Sequence, residues 1–114
     1  MFKSQALIAL AAIGSATLAF AAERSIGCFP SPDVQGFVDQ GPNVFQSVGL
    51  CHSECETAGF PAFALNGTSC GCAQLDNVPG AEHEVDAAHC DTPCPGFASE
   101  KCGGKGGFVS VYTI

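Results

Sequence analysis

The chain has 114 residues, with eleven acidic side chains against four Lys and Arg, for a formal charge of −7 at neutral pH. That balance leaves no basic patch, so nucleic acid and anionic membrane surfaces are poor partners. Eight cysteines and 14 glycines in so short a chain point away from a large apolar core and toward a cross-linked one.

Residues 1–21 read as a signal peptide. Met1-Phe2-Lys3 is a basic start, and a mostly apolar run follows from Ala6 to Ala22. Ala19-Phe20-Ala21 fits the small-x-small rule with cleavage after Ala21. A cut after Ala22 is the weaker match, because it sets Phe20 where a small residue is preferred. The rival is an uncleaved anchor, but the run is short for a full span and no stop-transfer cluster follows. Residues 22–114, about 93 in number, then form one domain. Three basic residues (Arg24, Lys101, Lys105) face the eleven acidic ones there, a formal −8. No later segment is apolar enough to span a bilayer, and Val109–Ile114 is not a lipid-anchor tail. The expected product is secreted, extracellular or associated with a cell wall, without membrane attachment.

Ser25–Phe29 is a short candidate strand holding Cys28. From Asp33 to Asn43 the chain is rich in Gly, Pro, Asp and Gln and reads as loop, with a short strand allowed at Gly36–Asp39. Ser47 is a suitable N-cap for a helix beginning at Val48, Gly59 suits its left-handed terminus, and Pro61 forbids continuation. Gly49 in the first turn costs that helix roughly 1 kcal/mol relative to Ala. Asn66-Gly67 is a strong hairpin signal. Placing the pair at the turn centre sets Leu65 opposite Thr68 and Phe63 opposite Cys70. Phe63, Leu65, Cys70 and Cys72 then share one face, and Ala62, Ala64, Ser69 and Gly71 the other.

Cys51 and Cys55 lie on one face of the helix, and Cys70 and Cys72 on one face of the strand. Four helical residues rise roughly 6 Å and two strand residues roughly 6.6 Å, so two adjacent disulfides would staple helix to strand with little strain. The rival use of these four thiolates is a zinc site, which an oxidising compartment disfavours. Eight cysteines allow 105 pairings, and spacing does not settle the others.

Beyond the hairpin, Asp76–Gly80 is a turn, Glu82–His89 one or two helical turns, Asp91–Gly107 loop, and Phe108–Tyr112 a final strand. Helix and strands are mixed, not alternating, so the class is small α+β and disulfide-rich. Phe29, Phe63 and Phe108 are the expected core rings.

With the cysteines laid out, the chain resembles the WSC domain, the cysteine-rich module of fungal cell-wall stress sensors and of some extracellular enzymes and receptors. The resemblance rests on Gly27-Cys28-Phe29, Ser47 four residues before Cys51, Cys51-x3-Cys55, and Phe63 ahead of Cys70-x-Cys72. It continues through Cys90-x3-Cys94, Gly96, Lys101-Cys102-Gly103-Gly104 and Val111-Tyr112, and so covers the mature chain. It implies one or two helices packed on a small antiparallel sheet with four disulfides: Cys28–Cys90, Cys51–Cys70, Cys55–Cys72 and Cys94–Cys102. The middle two are the staple; the outer two come from the resemblance alone. It also implies carbohydrate binding, with neutral fungal-wall polysaccharide such as β-glucan the expected ligand.

The chain departs from the family at Gly71, where many members carry an aromatic residue. There is no Trp and a single Tyr for sugar stacking, which favours Trp and Tyr. Phe37 and Phe97, in loops hard to bury, are the carbohydrate-binding candidates. The alternative function is a small secreted effector or inhibitor that binds a protein partner. No catalytic constellation stands out: His83-Glu84 does not extend into a metalloprotease motif, and no thiol is spare. Glu82, Glu84, Asp86 and Asp91 lack a calcium-loop spacing and read as a solvated face. No catalytic residue, metal or cofactor is therefore assigned. Asn66-Gly67-Thr68 is a glycosylation sequon at an exposed turn.

Overall fold

The computed structural model describes residues 23–114; the signal-peptide reading of residues 1–21 lies outside them. The strands are β1 (Arg24–Pro30), β2 (Val38–Pro42), β3 (Ala62–Asn66), β4 (Ser69–Ala73), β5 (Pro93–Cys94), β6 (Phe97–Lys101) and β7 (Phe108–Thr113). Among the described residues the α-helix is α1 (Val48–Thr57), and short 3-10 turns follow β1 and punctuate residues 75–89. Five strands form one antiparallel sheet in the order β1-β7-β3-β4-β2, and β5 pairs with β6 separately. The last strand thus lies inside the sheet, between β1 and β3.

Helix α1 is defined by its ends and its bridges. Ser47 Oγ accepts the Leu50 N–H at 3.0 Å, and Glu100 of β6 accepts the Val48 N–H at 3.0 Å, so two donors of the open first turn are satisfied. At the other end Gly59 takes φ 87°, its N–H donates to Glu56 O, and the Phe60 N–H donates to Cys55 O. This is a complete Schellman termination. The buried positions of α1 are Val48, Cys51, His52 and Cys55, a stripe at helical spacing in which half the residues are cystines.

Those cystines join α1 to β4: Cys51 to Cys70 and Cys55 to Cys72, with Cα separations of 5.6 and 5.3 Å. Cys28 joins Cys90 and Cys94 joins Cys102. Phe63 and Leu65 complete the helix-side core, together with the Cys94–Cys102 bridge under the β5–β6 hairpin. Phe29, Ala64, Val109 and Val111 form a second cluster on the opposite sheet face, with Val34, Phe37 and Val78 packed over it. The sheet is therefore covered by the helix on one side and by loops on the other.

The β3–β4 turn differs from the expectation by one step. Asn66 pairs with Ser69, Leu65 with Cys70 and Phe63 with Cys72, so the turn centre is Gly67-Thr68, not Asn66-Gly67. Gly67 has φ 60°, and among the described residues no non-glycine residue has positive φ, which suits glycine at the first central position of a type II′ turn. Moving the turn by one residue shifts each cross-strand partner by two. Parity is kept, so the same residues face the helix.

Two further segments depart from the sequence expectation. The edge strand runs Val38–Pro42 instead of Gly36–Asp39, because the free edge of β4 supplies its hydrogen bonds. An edge tolerates Pro42, and the irregularity between Asp39 and Pro42 accommodates Gly41. Residues 93–101 form a hairpin where loop was expected. The helical turns expected over Glu82–His89 are two 3-10 turns, Ala81–His83 and Ala87–His89. Phe29 and Phe63 are fully buried, but Phe108 is only half-buried, with its ring stacked on His89 at 4.5 Å.

Candidate functional site

A groove of about 410 Å³ opens on the sheet face away from α1. Its floor is Ala64, Gly71 and Val109, small or flat side chains that leave the sheet shallow there. Val34 and Phe37 wall it, and Ser31, Asp39, Asn66 and Ser69 supply polar groups. Strand parity explains the membership: Phe63, Leu65, Cys70 and Cys72 point to the helix, so Ala64, Asn66, Ser69 and Gly71 point into the groove.

Gly71 and Phe37 are one device. A Cβ on Gly71 would sit 3.3 Å from Phe37 Cβ, tighter than ordinary contact. The Phe37 ring is thus laid across the strand from the neighbouring loop, in the space a side chain at position 71 would claim. Asp39 sits on the same edge and is held by its own turn, its Oδ1 accepting the Gly41 N–H at 2.9 Å. A second hollow, of about 370 Å³, has Tyr112 as its aromatic wall, but that ring is stacked on Phe63 at 5.1 Å.

The structure separates the two sequence candidates. Phe37 belongs to the groove, half-buried against the Phe29 cluster. Phe97 lies on β6, 56% exposed, in the hairpin that caps the N-terminus of α1 through Glu100. Beside it are two residues that sequence reading passed over, Val44 (71% exposed) and Phe45 (72% exposed). Their loop touches the hairpin backbone to backbone. The Gly96 N–H donates to Gln46 O at 2.8 Å, and any Cβ on Gly96 would collide with the Phe45 carbonyl. Gln46 is fully buried, its Nε2 donating to Thr68 O at 3.2 Å and its Oε1 accepting the Ser47 N–H at 3.3 Å. An adjacent apolar pair, Val44-Phe45, immediately before a polar residue and a helix cap was the available signal.

Among the described residues the paired titratable groups lie apart from these features. His52 is buried on α1, with Nδ1 2.6 Å from Glu23 Oε1 and Nε2 3.7 Å from Glu56. The hydrogen bond to His52 holds the Glu23 carboxyl below its ordinary value, against an opposing desolvation. Burial pushes the Tyr112 hydroxyl up, and the Glu100 and Glu23 charges add to it. His83 stands 3.6 Å from Asp33 and 3.5 Å from Glu82, near the surface. Glu82, Glu84, Asp86 and Asp91 are exposed. The sulfurs of Cys51, Cys55 and Cys70 lie within 4.8 Å of one another, but each is committed to a disulfide. What the groove can do is bind: a ring for C–H faces, hydroxyl, carboxylate and amide groups around it, and a rigid cross-linked floor.

Residues 25–104 match the family model of the WSC domain. The chain is 33% identical over 91 residues to Cell wall integrity and stress response component 2 of Saccharomyces cerevisiae, which covers 75% of this chain and 17% of that protein. It is 34% identical over 113 residues to Protein SLG1 of the same yeast, covering 98% of this chain and 28% of that protein. The chain therefore spans less than a third of the length of these relatives. The family match ends at Gly104, ahead of β7, although β7 lies inside the sheet.

Proposed function

We propose that this chain, which belongs to the WSC domain family, is a non-enzymatic glycan-binding module whose groove over β3 and β4 takes neutral cell-wall polysaccharide such as β-glucan. One observation carries the reading. The Phe37 ring and four polar side chains converge on a groove of about 410 Å³ with a floor of small residues. That size lies within the usual range of small-ligand sites. The name of one yeast relative, a cell wall integrity and stress response component, supports the ligand class. With its first 21 residues read as a signal, the product acts outside the cell or at the wall. No helix among the described residues is long and apolar enough to cross a membrane. A single shallow site binds weakly, so useful retention comes from a polymer that presents many copies of the sugar.

The test is co-sedimentation of the oxidised protein with insoluble β-1,3-glucan, chitin and cellulose, with a reduced sample as control. Depletion by one polymer, lost on reduction and in Phe37→Ala or Asp39→Asn but kept in Phe97→Ala, is the expected result. No depletion by any polymer refutes it.

A second reading has its own observation. Val44, Phe45 and Phe97 are exposed apolar residues in the loop and hairpin that meet at the N-terminal end of α1, of the kind that marks a protein-binding surface. On that reading the protein is a small secreted effector or inhibitor. Phe45→Ala and Phe97→Ala would then abolish capture of the partner and leave polysaccharide binding untouched.

A further inference from the structure

We infer that Asn66 carries an N-linked glycan that lies over the groove and closes it, so that glycosylation sets whether the groove takes an external polysaccharide. This rests on the groove being the binding site proposed above and on passage through a secretory pathway.

The argument is positional. Asn66-Gly67-Thr68 has the acceptor pattern, and Asn66 and Thr68 are both exposed at the hairpin tip, where a transferase can reach them. Most sequons at a turn would send their sugar into open solvent. Here strand parity does otherwise. Asn66 is two residues beyond Ala64 on β3, so its side chain leaves on the groove face, and it lines the groove beside Ser69, its cross-strand partner. Two strand residues span about 6.6 Å, so the first sugar is rooted about two residues' rise from the floor at Ala64.

The hairpin that carries Asn66 is firmly held. The Gly67 N–H donates to Cys102 O at 2.8 Å, and Thr68 O accepts from the Asn43 N–H at 2.9 Å and from Gln46 Nε2 at 3.2 Å. A glycan rooted there starts from a fixed backbone position on the lining of the groove that Phe37 walls. Its own sugar faces meet the groups that would otherwise hold the external chain.

The chemistry balances. A bond forms between Asn66 Nδ2 and C1 of an N-acetylglucosamine. The C1–O bond to a lipid-linked diphosphate donor breaks, the diphosphate leaves with the electron pair, and one amide proton is released.

The test expresses the full chain in a glycosylating secretory host as wild type, Thr68→Ala and Thr68→Ser. The Ala variant removes the sequon and keeps the backbone carbonyl that Asn43 and Gln46 use; the Ser variant keeps both. Intact mass is read first. Carbohydrate on wild type and Thr68→Ser but not on Thr68→Ala is expected, and wild type without it overturns the proposal. Amide shifts of Phe37, Asp39 and Gly71 are read next. They should differ between wild type and Thr68→Ala and agree between wild type and Thr68→Ser; the opposite pattern means the glycan points elsewhere and overturns the proposal. Polysaccharide retention should be about tenfold weaker for glycosylated protein than for Thr68→Ala. Equal retention overturns the closure. If Thr68→Ala binds no polysaccharide at all, the groove reading of the function fails, while mass and shifts still decide whether the glycan is present and where it lies.

Discussion

Removing the Cys28–Cys90 bridge should destabilise the protein more than removing Cys94–Cys102, although the second pair is the more deeply buried. The bridges close loops of very different length, 62 residues against 8. With the other cystines intact, the shortest path between Cys28 and Cys90 runs to Cys51, across to Cys70 and on, about 43 residues. The chain-entropy relation then gives roughly 4 kcal/mol for Cys28–Cys90 and roughly 2.5 kcal/mol for Cys94–Cys102. In a domain of this size 1 kcal/mol moves Tm by about 4–8 °C, so the two variants should melt at least about 6 °C apart. Cys28 and Cys90 are 3% and 7% exposed, whereas Cys94 and Cys102 are 1% and 0%, so lost packing would reverse the order. The assay is thermal and urea unfolding of Cys28→Ala/Cys90→Ala and Cys94→Ala/Cys102→Ala, each with its remaining cystines verified by mass. A Cys94→Ala/Cys102→Ala protein as unstable as the other, or more so, would refute the entropic reasoning and make packing under the β5–β6 hairpin the larger contribution.

Gly49 lies exposed in the first turn of α1 with nothing within 4 Å of a built Cβ, so Gly49→Ala should stabilise by roughly 0.5–1 kcal/mol in urea unfolding. Gly104→Ala should do the reverse, by roughly 2 kcal/mol or more, because its Cβ would collide with the His89 carbonyl, a backbone atom with nowhere to go. Phe45→Ser should leave the unfolding midpoint within about 0.5 kcal/mol of wild type, since the ring is 72% exposed; a larger loss would mean the patch is packed in solution. Glu23 should make stability fall with acid. Its carboxyl is held below 4.5 in the folded state, so the unfolded chain binds the proton first. The contribution is present above pH 4.5 and is lost as pH drops through the lower folded value. Wild type should therefore lose Tm more steeply than Glu23→Gln below pH 4.5, and parallel curves would remove Glu23 from the account.

The sequence by itself determined which side of α1, β3 and β4 is buried. Ser47 and Gly59 bracket the helix through local hydrogen bonds and a local φ. Cysteine spacings of four and two encode faces through the periods of helix and strand. Even a misplaced turn centre did no harm to the faces of β3 and β4, because a partner shift of two preserves parity. The tertiary structure alone decided what depends on a partner distant in sequence. Val38–Pro42 has poor strand propensity and becomes a strand because β4 offers an open edge. Glu100 caps a helix 52 positions earlier in the chain, and Gln46 is buried because Thr68 and Ser47 satisfy it there. The candidate site divides in the same way. That Ala64, Ser69 and Gly71 share a face was legible from alternation; that Asn66 joins them was not, because the sequence reading set it in the turn and the observed ladder pairs it with Ser69. That Phe37 folds onto Gly71, while Phe97 stands beside Phe45 elsewhere, was not, because loop placement is set by long-range packing and backbone contact. No period in the sequence encodes such a contact.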